Sequence, residues 1–363
     1  MGLATLVIGF VTLGSDNDAS ASDVSKGWKT ECVGRYQISL PGDVEVALVN
    51  RNDFLSDMYP IESRFNDGVL ASSSAISVNG TIFVSQLKQA EELSSIQREV
   101  DKANENLIEE FRKDGFPKVA DKIKPISPLP DGMFGWIATG LPEQVVNFFV
   151  GRKDYIYRYK EVGAKVRPGG MRFVKYFRPR ALYEIPKEPG VCFPYGFIAD
   201  DGKTPRHVGV TMRLKEYPDV RIFFEDYSAS ADEQVWTSSE HFGPQFRKAG
   251  PKALELSELK YLWQEEAAPI KRTDVSPLDF HVAYVDGHKG TGSSIEITRL
   301  DGGKDYGYAA VVAGKYVHGA DAPRLKVYVI RTAAWAKDTP MSNDELKGIA
   351  AKIVASIKRR EVK

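Results

Sequence analysis

The sequence predicts an α+β fold of two domains, each an antiparallel sheet packed with helices. A chain of 363 residues is more often two domains than one. Short apolar runs of alternating polarity, separated by turn residues, recur along the chain and are typical of antiparallel strands. A proline-rich connector occupies residues 183–200, and its segment Pro186-Lys-Glu-Pro189 fits neither a helix interior nor a central strand.

Each predicted domain opens on one of the two cysteines, followed by a strand. Cys32 precedes the alternating segment Tyr36 to Leu40, and Cys192 precedes the apolar segment Phe193 to Ala199. We therefore place an N-terminal domain at residues 28–182 and a C-terminal domain at residues 183–363.

Two helices are well marked. Apolar residues recur at three- and four-residue spacing from Leu87 to Phe111, and Gly115 follows as a C-cap candidate. The closing helix starts with a capping box of Ser342 and Glu345. Its apolar stripe should be buried, and its end should carry the basic residues 358–360, because a helix C-terminus favours cations. The stripe comprises Leu346, Ile349, Ala350, Ile353, Val354 and Ile357.

The strands group around clear turn signals. In the first half, Ile76 to Val84 turns at Asn79-Gly80, a strong hairpin signal. A meander packed on the first helix is predicted next, with strands Met133 to Thr139, Val145 to Gly151 and Tyr155 to Tyr159. In the second half we predict a hairpin of Val208 to Leu214 with Val220 to Asp226, a helix from Leu254 to Ala268, and a hairpin of Phe280 to Asp286 with Ser294 to Leu300 around a Gly287–Gly292 loop.

Charge and the N-terminal residues bear on partner and location. Lys plus Arg and Asp plus Glu both number 49, so the net charge is zero, which argues against nucleic acid as the main partner. Residues 2–14 form an uncharged apolar run that is short for a membrane span, and Ala19-Ser-Ala21 resembles a cleavage site. We expect residues 1–22 to be a signal-like leader and the mature protein to be periplasmic; the alternative is a frayed apolar end of a cytosolic protein. No later stretch approaches membrane length.

Catalytic and cofactor motifs are missing from the sequence. No G-x-S-x-G pentapeptide is present, and Gly202-Lys-Thr204 lacks the earlier glycine of a phosphate loop, since Phe197 stands there. None of the five histidines has helical metal-ligand spacing to another. We therefore expect no catalytic residue, no cofactor and no metal.

The two cysteines allow two interpretations. In an exported protein, a pair of cysteines usually forms one disulfide, which here would join Cys32 to Cys192. Such a bond would clip the start of one predicted domain to the start of the other. If the chain is not exported, two buried thiols are the default.

Several motifs resemble one protein family. Cys32-Val-Gly-Arg-Tyr-Gln-Ile-Ser-Leu-Pro41 resembles the opening motif of immunity proteins that neutralise type VI secretion lipase effectors, specifically those paired with the fourth lipase class. Phe177-Arg-Pro-Arg180, Glu184-Ile-Pro186 and Glu188-Pro-Gly190 with Cys192 resemble its inter-domain signature, and Ile353 to Arg360 its closing helix. One departure is Val191, where the family has Phe.

The resemblance implies a two-domain α+β protein of claw-like shape that grips its cognate lipase effector in the periplasm. It implies inhibition by blocking the lid and substrate access of a phospholipase, without catalysis. Two alternatives stay open on the sequence alone. One is an exported cell-envelope binding module for polysaccharide or lipid, consistent with 11% aromatic residues. The other is an exported enzyme with an unrecognised site.

A partner surface is predicted at one hairpin tip. Within Asp286-Gly-His-Lys-Gly-Thr-Gly292, the glycines would let the backbone approach a partner closely. Asp286, His288 and Lys289 supply polar contacts there. The competing interpretation is a solvated turn.

Overall fold

The computed structural model describes residues 27–51, 53–56, 62–71, 76–86, 91–139, 143–152, 154–163, 169–228, 250–267, 272–274, 280–299, 301–314, 322–336 and 340–363. The predicted leader, residues 1–22, lies outside these ranges. Statements about the fold refer to this part of the chain.

The described structure has few helices and many strands. The helices are α1 Glu91–Lys113, α2 Pro117–Ala120, α3 Gly169–Tyr176, α4 Pro251–Ala267 and α5 Asn343–Ser356, with a 3-10 turn at Ala333–Trp335. The first eleven strands are β1 Lys29–Val33, β2 Tyr36–Leu40, β3 Val44–Val46, β4 Leu48–Val49, β5 Ser63–Arg64, β6 Ile76–Val78, β7 Thr81–Gln86, β8 Ile123–Pro125, β9 Met133–Ala138, β10 Gln144–Arg152 and β11 Tyr155–Gly163. The others are β12 Phe177–Pro179, β13 Gly190–Phe193, β14 Gly196–Ala199, β15 Arg206–Leu214, β16 Val220–Ser228, β17 Arg272–Asp274, β18 Phe280–Val285, β19 His288–Thr298, β20 Lys304–Val312, β21 Arg324–Arg331 and β22 Lys358–Arg359.

One 14-stranded sheet forms the centre of the described structure. Its order is β17-β19-β20-β21-β16-β15-β6-β7-β11-β10-β9-β8, with β18 also paired to β19 and β3 also paired to β15. Every recorded strand pair is antiparallel; an example is β10 with β11, from Gln144↔Gly163 to Arg152↔Tyr155. Smaller sheets are β1-β2-β22, β12-β14-β13 and β4-β5. The predicted antiparallel α+β class is confirmed.

The two faces of the main sheet are buried differently. Because neighbouring strand residues point to opposite faces, Phe224 of β16 lies in the largest apolar core while Phe223 lies in another. The largest core also takes Tyr157 from β11 and Ile353 from α5, so it spans both halves of the chain. We call it the shared core. On the opposite face α1 covers one half of the sheet and α4 covers the other, each over a core of its own.

The two halves of the sheet meet at a short junction. Strand β15 pairs with β6 at three positions, Arg206↔Val78, His207↔Ser77 and Val208↔Ile76. Beside it, the fully buried Arg206 guanidinium donates from Nε and Nη2 to Asp226 at 2.5 and 2.8 Å. The backbone N–H of Arg35 donates to the same carboxylate at 2.9 Å. A paired and hydrogen-bonded buried charge satisfies the condition for tolerating ions in a core.

Several predicted elements are confirmed. Helix α1 ends before Gly115, whose φ of +84° fits a C-cap glycine. The capping box of Ser342 with Glu345 is present, and Ile353 is fully buried. The Asn79-Gly80 hairpin and the β9–β10–β11 meander on α1 also form.

The basic end of the closing helix was predicted wrongly. Helix α5 ends at Ser356, and Lys358–Arg359 forms strand β22, which pairs with β2. Arg360 is buried and donates to backbone carbonyls of the proline-rich connector. These charge-assisted hydrogen bonds satisfy backbone carbonyl groups and fix Arg360 against the connector.

The predicted division at residue 183 cuts through shared structure. The main sheet takes β6, β7 and β11 from before it and β15 from after it. The shared core likewise contains residues from both sides. The two-domain division and the claw-like shape therefore stay predictions.

Candidate partner interface

The predicted hairpin tip is a tighter turn than expected. Asp286 and Gly287, with φ of +51° and +72°, are the two turn residues between β18 and β19. This is the left-handed pair that a two-residue hairpin turn requires. The Asp286 carboxylate accepts a hydrogen bond from the backbone N–H of Arg359 at 3.0 Å. Asp286 therefore ties the tip to strand β22.

The expected Gly287–Gly292 loop is wrong, because β19 begins at His288 directly after the turn. Gly290 is buried, and a Cβ there would collide with the Val311 carbonyl of β20. A Cβ at Gly292 would meet the ring of His281 across the hairpin. These two glycines permit close packing within the sheet, so they do not shape a loop for a partner.

The polar residues of the tip face solvent. The His288 side chain is 53% exposed and lies 4.0 Å from the Asp286 carboxylate, whose own exposure is 21%. Lys289 is exposed on β19. The structure thus brings Asp286, His288 and Lys289 together at one end of the sheet, and their role as partner contacts stays a prediction.

An apolar surface that the sequence did not reveal lies beside this tip. Val282 and Tyr284 of β18 are 52% and 58% exposed, among the most exposed large apolar side chains described. Ala283 and Val285, which alternate with them, are buried in the shared core. The strand sequence FHVAYV has apolar residues on both faces, so the sequence alone did not identify the face that stays exposed.

The proline-rich connector is held by covalent and polar contacts. Cys32 and Cys192 form a disulfide with their Cα atoms 5.7 Å apart, and both side chains are fully buried. The backbone of Cys192 exchanges two hydrogen bonds of 2.8 Å with that of Gly34. The start of the chain and the end of the connector are thereby fixed side by side.

Two buried arginines bind the connector from either side. Arg180 pairs with Glu31 and donates to the carbonyls of Cys32 and Phe193 at 2.9 and 3.2 Å. Arg360 donates to the carbonyls of Glu188 and Gly190, both at 2.8 Å. Burial lowers the pKa of Arg360, and the neighbouring Glu188 opposes that shift. These buried guanidinium groups thereby satisfy carbonyl groups along the connector, whose prolines lack N–H donors of their own.

Among the described residues, metal-ligating side chains do not cluster, and one small cavity is present. No group of three or more His, Cys, Asp or Glu side chains in these ranges could hold a metal ion. One cavity of ≈ 10 Å³ lies beside Arg172, Asp200 and Thr204, which is about the space of a single water. No described helix is both long and apolar enough to cross a membrane.

Comparison with known proteins identifies one domain of the chain. Residues 184–256 match the family model described as Tle cognate immunity protein 4 C-terminal domain, and the match begins one residue after Tyr183. This match confirms the resemblance found in the sequence. No curated protein sequence matches the chain.

Solved structures extend the likeness to most of the chain. The immunity protein TplEi of the type VI secretion system of Pseudomonas aeruginosa, in complex with "L" peptide, is 18% identical with a TM-score of 0.56. The alignment covers 93% of this chain and 99% of that one. The Tle4–Tli4 complex gives a matching chain with 18% identity, a TM-score of 0.58 and the same two coverages. At this identity the likeness establishes a common fold.

Proposed function

We propose that this chain is a periplasmic immunity protein that binds and inhibits a cognate type VI secretion phospholipase effector. The match of residues 184–256 to the immunity-protein domain carries the proposal. The shared fold over 93% of the chain, found also in the Tle4–Tli4 complex, supports it. We further propose that inhibition is non-enzymatic and acts by blocking the lipase lid and substrate access.

The contacts of the connector suit an inhibitor that binds by shape. A binding surface loses least entropy on association when it is already rigid in the free protein. The disulfide, Arg180 and Arg360 all act on residues 180–196, between the halves of the chain. They would hold surfaces from both halves in a constant relation before the lipase arrives.

The test mixes the purified protein with the lipase encoded beside its gene. Complex formation is measured by calorimetry and light scattering, and lipase activity on phospholipid vesicles and on a water-soluble short-chain ester. We expect a stable complex and loss of hydrolysis of both substrates, because a blocked substrate entrance excludes either one. An unrelated type VI lipase of another class serves as the control and should stay active.

Two results would contradict parts of the proposal. If the neighbouring lipase neither binds nor loses activity, the immunity function is wrong. If it binds yet still hydrolyses the short-chain ester, substrate access is open and blockade is wrong. Location is tested separately, by mass spectrometry of a periplasmic extract, where we expect a chain beginning near Ser22.

A further inference from the structure

The edge strand β18 presents backbone groups as well as apolar side chains. It pairs with β19 on one side, and no other strand of the described ranges pairs with it. An unpaired edge exposes a row of N–H and C=O groups that a further strand can bind. Among the described strands, the other edge of β18 therefore has no strand partner.

The turn decides which residues face that edge. In a two-residue hairpin, the residues flanking the turn exchange both backbone hydrogen bonds, and bonded and non-bonded pairs then alternate. Val285↔His288 and Ala283↔Gly290 are thus bonded pairs in the observed register. Val282↔Thr291 and Tyr284↔Lys289 are non-bonded pairs. The N–H and C=O groups of Val282 and Tyr284 consequently point outward.

The same residues that offer backbone groups also expose their side chains. Val282 and Tyr284 are each more than half exposed. Proteins usually protect such edges with Lys, Pro or a bulge, yet the sequence FHVAYV contains no Lys or Pro and its register with β19 is unbroken. This edge therefore combines the two requirements for strand addition, free main-chain groups and side-chain contacts at alternate positions.

We infer that the edge Phe280–Tyr284 binds an extended segment of the cognate lipase as an added β-strand. The inference rests on the proposed function and specifies its mode of binding. The predicted tip residues His288 and Lys289 then lie at the margin of the contact, whose centre is β18.

Charge indicates what the added strand carries. Lys289 lies opposite Tyr284, and Lys252 of α4 donates from Nζ to Thr291, opposite Val282, at 2.6 Å. The Thr291 hydroxyl in turn donates to Glu255, whose carboxylate is buried beneath. Both lysines are exposed, so a partner meets two cationic side chains beside the edge. We expect the lipase segment to pair apolar side chains with Val282 and Tyr284 and to place an acidic side chain near Lys289.

Amide hydrogen exchange tests the main-chain pairing directly. In the free protein, the amides of Ala283 and Val285 should exchange slowly and those of Val282 and Tyr284 quickly. Binding of the neighbouring lipase should slow the latter two by at least about tenfold and leave the former unchanged. A contact through side chains alone would not produce this alternation.

Matched variants test the same edge by affinity. Val282→Pro removes an outward N–H and the valine side chain at an edge position, where strands tolerate proline, and Val282→Lys adds a charge to the edge. Both should weaken lipase binding at least about tenfold with an unchanged melting curve. Val162→Lys is the control, because Val162 is 46% exposed on the distant strand β11, and it should change affinity less than about twofold. Lys289→Glu should slow association at low ionic strength only.

The outcomes separate this inference from the function on which it rests. If the wild-type protein fails to bind the lipase, the immunity function itself is wrong. If it binds and inhibits while Val282→Pro binds equally well and Val282 and Tyr284 stay unprotected, the edge is not the contact. Protection that appears without lipase would also overturn the inference: with a doubled mass it would mean pairing with a second copy, and in a monomer it would mean coverage by the chain itself.

Discussion

Helices α1 and α4 occupy equivalent places on the main sheet but are held by different forces. Each covers one half of the same face, over its own apolar core. Among the described residues of α1, the buried ones are Ile96 and Val100, and both are apolar. In α4 the buried residues are Leu254, Leu259 and Trp263, together with the acidic residues Glu255 and Glu258.

Polar contacts account for the acidic residues of α4. Glu258 accepts from Arg324 at 2.6 Å and from Lys326 at 3.4 Å, and both cations also contact Glu225 of the sheet. Helix α1 has one comparable polar contact among those recorded with the sheet, the 2.8 Å bond from Trp136 Nε1 to Asp101. Helix α1 thus packs mainly through an apolar stripe, whereas the packing of α4 also depends on charged residues of the main sheet.

Replacing one tryptophan under each helix should give the largest change in the free energy of unfolding. Trp263 of α4 is fully buried and Trp136, under α1, is 8% exposed. Trp263→Ala should lower the free energy of unfolding by about 4 kcal/mol and Trp136→Ala by about 3 kcal/mol, since both leave large cavities. Denaturant unfolding of each variant measures this, and a larger loss for Trp136→Ala would reverse the comparison.

The charges of α4 give the next largest effect. Glu258→Ala removes a carboxylate that Arg324 and Lys326 both contact, while Glu225 keeps its contacts with the two cations. We expect a loss of about 3 kcal/mol, because removing one member of a buried charge network leaves the opposite charges less well compensated. Glu105→Ala, on the exposed face of α1, is the matched control and should cost less than about 0.5 kcal/mol. Similar losses for the two variants would show that the network contributes little.

The hydrogen bonds of the two tryptophans should also differ. Trp263 Nε1 donates to the fully buried Ser293 hydroxyl at 3.1 Å, whereas the Asp101 partner of Trp136 is only half-buried. Ser293→Ala leaves the Trp263 N–H buried without a partner and should lower the free energy of unfolding by about 2 kcal/mol. Asp101→Ala lets water reach the Trp136 N–H and should lower it by about 0.5 kcal/mol. Unfolding curves of this pair, compared with the tryptophan variants, separate bonding from packing.

Acid stability gives the smallest expected effect. Burial opposes ionisation of Glu225, but Lys326, Arg324 and His207 outweigh it and hold the pKa of its carboxyl well below the usual range. A carboxyl with a lowered folded pKa stabilises the protein above its unfolded pKa, and that stability is lost as the pH falls through the folded value. The wild type should therefore have the higher Tm at neutral pH. Its advantage over the Glu225→Gln variant should shrink by about 2 °C as the pH falls below about 4.5. Melting curves across this range check it, and a constant gap would exclude Glu225 as the titrating group.

Local patterns predicted the elements whose cause is local. The three- and four-residue spacing predicted α1, the capping box predicted the start of α5, and Asn79-Gly80 predicted a hairpin. Each depends on neighbours within about four residues, which the sequence displays directly. The candidate tip was located from the glycines of residues 287–292, and the structure places its turn at Asp286-Gly287.

Errors arose where a local pattern had a distant cause. The glycines at 290 and 292 were predicted to form a loop, but they lie within β19. Glycine is needed there because β20 and His281 approach the backbone closely. The basic residues 358–360 were placed at a helix end, but Arg360 binds connector carbonyls some 170 residues earlier. Neither partner is visible from the sequence neighbourhood.

The sequence by itself determined the antiparallel α+β class, the positions of α1, α4 and α5, and a family resemblance that the match at residues 184–256 confirms. Periodicity and turn chemistry suffice for these because they act over short separations. Only the tertiary structure decided that one sheet and one core join both halves, that Glu255 and Glu258 are buried, and that Val282 and Tyr284 stay exposed. Burial depends on which strands become neighbours, and that choice is made by long-range pairing such as β15 with β6.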